Sequence, residues 1–91
     1  MAEVVITIKI MPESPETNFD GILEQVKKDV AAFGGEVGKV EYHPVAFGLK
    51  AMHVIFVMDE EKGSTEELEK KIATISEVNS VDVIDVRRAV G

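Results

Sequence analysis

Two histidines, His43 and His53, stand ten positions apart in stretches that alternate apolar and polar residues. With Glu41 two positions before His43, they are the chain's closest approach to a metal-ligand set. Two imidazoles and one carboxylate fall short of the four ligands of a structural zinc site. An isolated strand histidine more often serves as a surface or interface residue, so no metal site and no bound cofactor are expected. Acids are more plentiful, in Asp59-Glu60-Glu61 and again in Glu66-Glu67. Paired carboxylates do acid–base work only where an apolar setting separates their pKa values. These two groups fall in a charged loop and at a helix start, where solvation and capping are their expected roles. Ser14, Ser64, Ser76 and Ser80 have no histidine in a base-like pattern, and the chain has no Cys, so thiol nucleophiles, disulfides and zinc–thiolate sites are excluded. Neither GxxxxGK[ST] nor GxGxxG occurs, so no phosphate-cradling loop is present. An acylphosphatase-like anion loop is also missing, because Met11 to Asn18 holds two Glu, two Pro and no Arg or Gly. The chain is not expected to be an enzyme.

One aromatic is placed oddly. Phe47 lies between Ala46 and Gly48 in a short connection between two apolar runs. A phenyl ring at a hairpin tip either folds back on its own domain's edge or anchors in a partner's pocket, where aromatics make good hot spots.

The elements that must position these residues follow from periodicity. The chain has 91 residues, 45% hydrophobic and 30% charged, which fits one small domain spanning 1–91. The formal net charge of −7 argues against direct nucleic-acid binding and against an anionic membrane as partner. No apolar run approaches the roughly 20 residues of a membrane span. The chain opens directly on Glu3 and a strand-like run rather than a leader, so a cytoplasmic protein is expected.

Val4, Ile6, Ile8 and Ile10 alternate with Val5, Thr7 and Lys9, which predicts a half-buried strand stopped by Pro12 and Pro15. Phe19, Ile22, Leu23, Val26, Val30 and Phe33 then repeat at helical spacing. Thr17 or Asn18 caps that helix, and Gly34-Gly35 ends it. Val37 to Val45 reads as a strand whose Pro44, unable to donate to a ladder, marks a sheet edge or a strand terminus. Leu49 to Met58 is a third strand, with Met52, Val54, Phe56 and Met58 on one face. Ser64 and Glu67 have capping-box spacing before a helix carrying Leu68, Ile72 and Ile75. The last strand runs from Val81 to Arg88. Its apolar residues at 81, 83, 84 and 86 change parity once, which predicts a bulge or irregular edge.

The order is β-α-β-β-α-β. Right-handed crossovers pack it most simply as a ferredoxin-like split β-α-β-β-α-β sandwich of the α+β class. Its antiparallel four-stranded sheet would run in the order 4-1-3-2, with both helices on one face. RNA-recognition domains share that topology, but they stack bases on aromatics of the first and third strands. Here those faces carry Val5, Thr7, Lys9, Ala51, His53, Ile55 and Val57. Val5, Ile55 and Val57 are either tolerated apolar residues of central strands or a protein-contact face.

The run from Tyr42 through Pro44-Val45-Ala46-Phe47-Gly48-Leu49-Lys50 to Met52 resembles the core motif of the translation elongation factor 1-beta family. An Asp59-Glu60-Glu61-Lys62 loop and an Ile-x-Ile-x-Met-Pro start followed by Thr17-Asn18-Phe19 strengthen the likeness, which covers essentially the whole chain. It looks like the short archaeal form, equivalent to the exchange domain of the longer eukaryotic protein. The resemblance implies a ferredoxin-like guanine-nucleotide exchange factor whose partner is elongation factor 1-alpha. It also implies that Phe47 enters a pocket of that GTPase, with Pro44, Val45, Gly48 and Lys50 shaping the loop. The eukaryotic domain carries a Lys next to its end, near the Mg²⁺ site. Here Arg87 or Arg88 is the available cation, and Arg is a planar fork rather than a point charge. The competing reading is a regulatory or oligomerisation module acting through its open sheet face.

Overall fold

A computed structural model describes residues 3–89, with the Ala89 side chain left aside. The strands are β1 (Glu3–Pro12), β2 (Glu36–Pro44), β3 (Lys50–Asp59) and β4 (Val78–Ala89). The helices are α1 (Phe19–Phe33) and α2 (Glu66–Ala73), with single 3-10 turns over Ala46–Gly48 and Glu60–Lys62. The sheet order is β2-β3-β1-β4, and every neighbouring pair is antiparallel. This is the expected ferredoxin-like order. β1 and β3 are central and the Pro44 strand is an edge.

Alternation along β1 creates the layers. Ile6, Ile8 and Ile10 are buried against the helices, and Val5, Thr7 and Lys9 face the other way, half-covered. Across β3, Met52, Val54, Phe56 and Met58 complete the inner face. Ile22, Val26 and Val30 of α1 and Leu68 and Ile72 of α2 close one continuous core over it. Both helices therefore cover the same face. Each fully buried aliphatic or aromatic side chain contributes about 1.5–3 kcal/mol of transfer free energy.

Local signals set the ends. Asn18, not Thr17, caps α1: its Oδ1 accepts the Asp20 N–H at 2.9 Å. Thr17 is buried instead, and its Oγ1 accepts the Ser14 N–H. Gly34 ends α1 with φ 98, a left-handed turn that a Cβ would strain. Gly35 follows in a tight gap, where a Cβ would lie 3.0 Å from the Val57 carbonyl oxygen.

Two expectations are corrected. The capping box does not form: Thr65 is the N-cap of α2, the Ser64 Oγ accepts the Glu66 N–H, and the Thr65 hydroxyl donates to Glu69. A carboxylate one turn along thus takes the proton that a cap would leave free. β1 ends at Pro12, as expected, and the proline sits where the register with β4 shifts. β4 starts at Val78 rather than Val81, because Glu77 turns the chain with φ 72 and lets Val78 bury beside Pro12. The expected bulge is present. Thr7 pairs with Asp85 and Ile8 with Val83, so Ile84 is the extra residue. Among the described residues no helix is long and apolar enough to cross a membrane.

Candidate functional site

The β2–β3 connection is built to hold one side chain out. Pro44 closes the β2 ladder opposite Lys50. The Val45 N–H then donates to the Leu49 carbonyl at 2.8 Å, and the Leu49 N–H donates to the Ala46 carbonyl at 3.3 Å. These two bonds cinch a five-residue loop. Within it Phe47 has φ 63 and ψ 30, and Gly48 has φ 75. A left-handed conformation costs a bulky L-residue about 1–2 kcal/mol. The cross-loop bonds hold Phe47 there all the same, and its ring is 93% exposed. It does not fold back on the domain's edge. Gly48 is needed for its φ rather than for space, since nothing lies within 4 Å of where its Cβ would sit.

Val45 and Leu49 are half-buried at the loop's base, and Pro44, Gly48 and Lys50 are exposed around it. Behind the loop, Tyr42 packs its ring on Phe19 at the start of α1, with centroids 5.3 Å apart and planes tilted by 59°. That buttress fixes the end of β2 to the helical layer. Sequence spacing missed it, because nothing in either run announces that position 42 meets position 19.

Arg87 and Arg88 lie elsewhere. Arg87 pairs with Val5 and Arg88 with Val4, at the far end of β1. Strand alternation sends them to opposite faces. Arg88 reaches the helical side and grips Glu60 with two of its three guanidinium nitrogens, Nε to Oε2 at 2.8 Å and Nη2 to Oε1 at 2.6 Å. That carboxylate raises the Arg88 pKa further above its ordinary value. Arg87 lies on the open face beside Asp85, Nε to Oδ2 at 2.9 Å. The structure thus gathers Pro44, Val45, Phe47, Gly48 and Lys50 at one tip and sets Arg87 and Arg88 at the other, each beside an acid. Val90 and Gly91, which follow, lie outside the described residues.

The open face presents His43 and His53 as stacked rings, 4.2 Å between centroids. Glu41 accepts from Lys39 and bonds the His43 ring. Those neighbours hold the Glu41 pKa low, the Lys39 hydrogen bond most of all. Burial, then the adjoining His43 and Lys9, pushes the His53 pKa below its usual value, with Glu41 opposing. Among the described residues, Glu41, His43 and His53 do not gather into a metal-binding cluster. Val5, Ile55 and Val57 are half-buried rather than exposed, flanked by Lys39 and Glu41 on β2 and Asp82, Asp85 and Arg87 on β4.

Comparison with known proteins bears on the whole chain. The family model described as "EF-1 guanine nucleotide exchange domain" matches residues 5–89. The protein "Elongation factor 1-beta" of Methanobrevibacter smithii is 40% identical over 88 residues, covering 97% of this chain and 98% of its own. The like-named protein of Methanocaldococcus jannaschii is 38% identical over 89 residues, covering 98% and 100%. Among solved structures, the ACT domain from GTP pyrophosphokinase of Chlorobium tepidum superimposes with a TM-score of 0.60 at 16% identity, over 90% of this chain and 99% of that one. LarC2, the C-terminal domain of a cyclometallase, gives 0.59 at 14%, over 99% of this chain and 58% of that one. Likeness at such low identity speaks to the fold, which these domains share. Near-full-length sequence identity speaks to kinship, and by it this chain belongs to the EF-1 guanine nucleotide exchange domain family.

Proposed function

We propose that this chain, acting as one domain over residues 1–91, is a guanine-nucleotide exchange factor for elongation factor 1-alpha. It would speed GDP release and GTP reloading during protein synthesis in the cytoplasm. The observation that carries this reading is Phe47, 93% exposed on a loop whose backbone is already closed. An aromatic ring held out in this way, at the one position where the family resemblance places an inserting side chain, supports a docking role.

Such a factor needs no acid, base or cofactor of its own. It must bind the nucleotide-free GTPase more tightly than the GDP-bound one, and linkage then weakens GDP by the same factor. Each roughly 1.4 kcal/mol of that coupling is worth tenfold. Pro44, Val45, Gly48 and Lys50 share the tip with Phe47 and form its contact surface. Arg87 and Arg88, at the far end, make a second and separate contact. A GTPase gripped at two places can be pulled out of its nucleotide-holding arrangement more readily than one gripped at a single point.

The test is the release rate of fluorescent GDP from a matched elongation factor 1-alpha in excess GTP, with substoichiometric amounts of this protein. Catalytic acceleration is expected. An unchanged release rate would overturn the reading. The rival view of an open-face interaction module would place its contact at Val5, Ile55 and Val57, which are half-buried.

A further inference from the structure

We propose that the outer edge of β4 is a self-pairing surface, through which two copies of this chain join β4 to β4, antiparallel, about a two-fold axis at Val86. β4 is the terminal strand of the sheet, and among the described residues no element pairs with its outer side. An unpaired edge is a template for another strand, and sheets usually blunt it. The opposite edge is blunted. β2 ends in Pro44, loses register at Gly38 and carries an exposed Lys39. β4 shifts register twice, at Asn79 and at Ile84, yet beyond Ile84 the stretch Asp85–Ala89 runs in unbroken register with β1.

Two apolar residues stand exposed here beside the exposed Arg87 and Arg88. Ile84 is 47% and Val86 60% exposed. Apart from these, only Tyr42 and Phe47 are large exposed hydrophobics among the described residues. Charge favours the same segment. Asp82, Asp85, Arg87 and Arg88 sum to zero on a chain carrying −7. Two copies repel each other least when they approach by a locally neutral edge.

The residue order selects the register. With the axis at Val86, Asp85 stands opposite Arg87 of the second copy and Arg87 opposite its Asp85. All four lie on the open face, because Asp85 pairs with Thr7 and Arg87 with Val5 within each sheet. The Asp85–Arg87 ion pair within each chain becomes a four-membered alternation. Val86 meets Val86. Ile84 meets Arg88, whose aliphatic stem can lie along it, so the dimer covers both arginines and excludes their contact with the GTPase. Moving the axis to Asp85 would set carboxylate on carboxylate, and moving it to Arg87 would set guanidinium on guanidinium. The contact is isologous and yields one continuous sheet of two four-stranded halves. Five paired residues are an ordinary strand length but a small interface, so the dimer depends on concentration.

Sedimentation velocity from micromolar to millimolar protein tests this, with circular dichroism confirming that each variant is folded. A rise from the monomer toward the dimer value is expected. Asp85→Arg sets Arg against Arg twice and should weaken association about tenfold or more. Asp85→Arg with Arg87→Asp restores opposite charges in the same register, so it should recover association to within about threefold. Val86→Lys, at a position already 60% exposed, should leave a folded monomer. The proposal fails if the protein is monomeric throughout, if Asp85→Arg leaves the dimer intact, or if the double variant does not recover it.

Discussion

Phe47 and Arg88 stand at opposite ends of the sheet. Phe47 lies three residues before Lys50, where β3 begins, while Arg88 shares a column with Val4 and Met58. Lys50 and Met58 are eight residues apart on one strand, roughly 27 Å at the usual rise. The molecule's longest dimension is 42 Å. One pocket cannot receive both side chains, so any single partner touched by both is spanned along the sheet's full length.

At the tip, Phe47→Gly should separate function from stability. The ring touches little, and glycine removes the left-handed penalty while adding freedom to the unfolded chain. Unfolding free energy should change by less than about 1 kcal/mol. Catalysed GDP release should slow by at least about tenfold. A fall in melting temperature beyond about 5 °C would mean that the ring supports the domain. Unaltered release would remove Phe47 from the contact.

Gly35→Ala should be costly for a steric reason. The new Cβ would meet the Val57 carbonyl at 3.0 Å and Val30 Cγ1 at 3.1 Å. A backbone atom inside a sheet cannot move aside. A loss of about 1–3 kcal/mol is expected by chemical denaturation. Full stability would show that α1 can shift away from β3 without penalty.

Between the helices, Asp29 is buried beside an open cleft of about 600 Å³ that Gln25, Lys71 and Glu77 also line. Its Oδ1 accepts from Gln25 at 2.9 Å, and Lys71 Nζ stands 3.8 Å away. Its Oδ2 has no hydrogen-bond partner among the described residues. Lys71→Met removes the nearby cation and should destabilise by about 1 kcal/mol. In an Asp29→Asn background the same change should cost less than about 0.5 kcal/mol. Equal costs in both backgrounds would show that Lys71 acts through packing alone.

His53 sets a pH dependence. Its pKa is lowered in the folded state by burial first, then by His43 and Lys9, against the opposing pull of Glu41. Below its ordinary value the unfolded chain therefore binds a proton that the folded chain resists. Stability should fall as pH drops through the range just below about 6.5. Glu41, with its lowered pKa, loses its contribution only at more acidic pH. Thermal unfolding of His53→Gln between about pH 7 and pH 5 should show a flatter profile than the parent. Parallel profiles would assign the slope to other groups.

Legibility varied with the range of the interaction. The parity change at 81, 83, 84 and 86 announced a bulge because strand alternation is strictly local, and the extra residue is Ile84. Pro44 announced an edge for the same reason. The cap of α2 was misread because Ser64, Thr65, Glu67 and Glu69 offer two overlapping patterns, and hydroxyl orientation decides between them. Asp29 and the Tyr42–Phe19 contact could not be read, since each depends on where a distant element lands. At the candidate site, Phe47 stood out by its odd company. Its separation from Arg88 became visible only once the register of β1 was known.

The Val45–Leu49 closure has a kinetic side. A loop that is already cinched surrenders little freedom on docking, so few collisions are wasted while it finds its shape. Encounter with a partner should then be limited by approach and orientation rather than by refolding of the tip. A brief visit is then enough for the tip to engage.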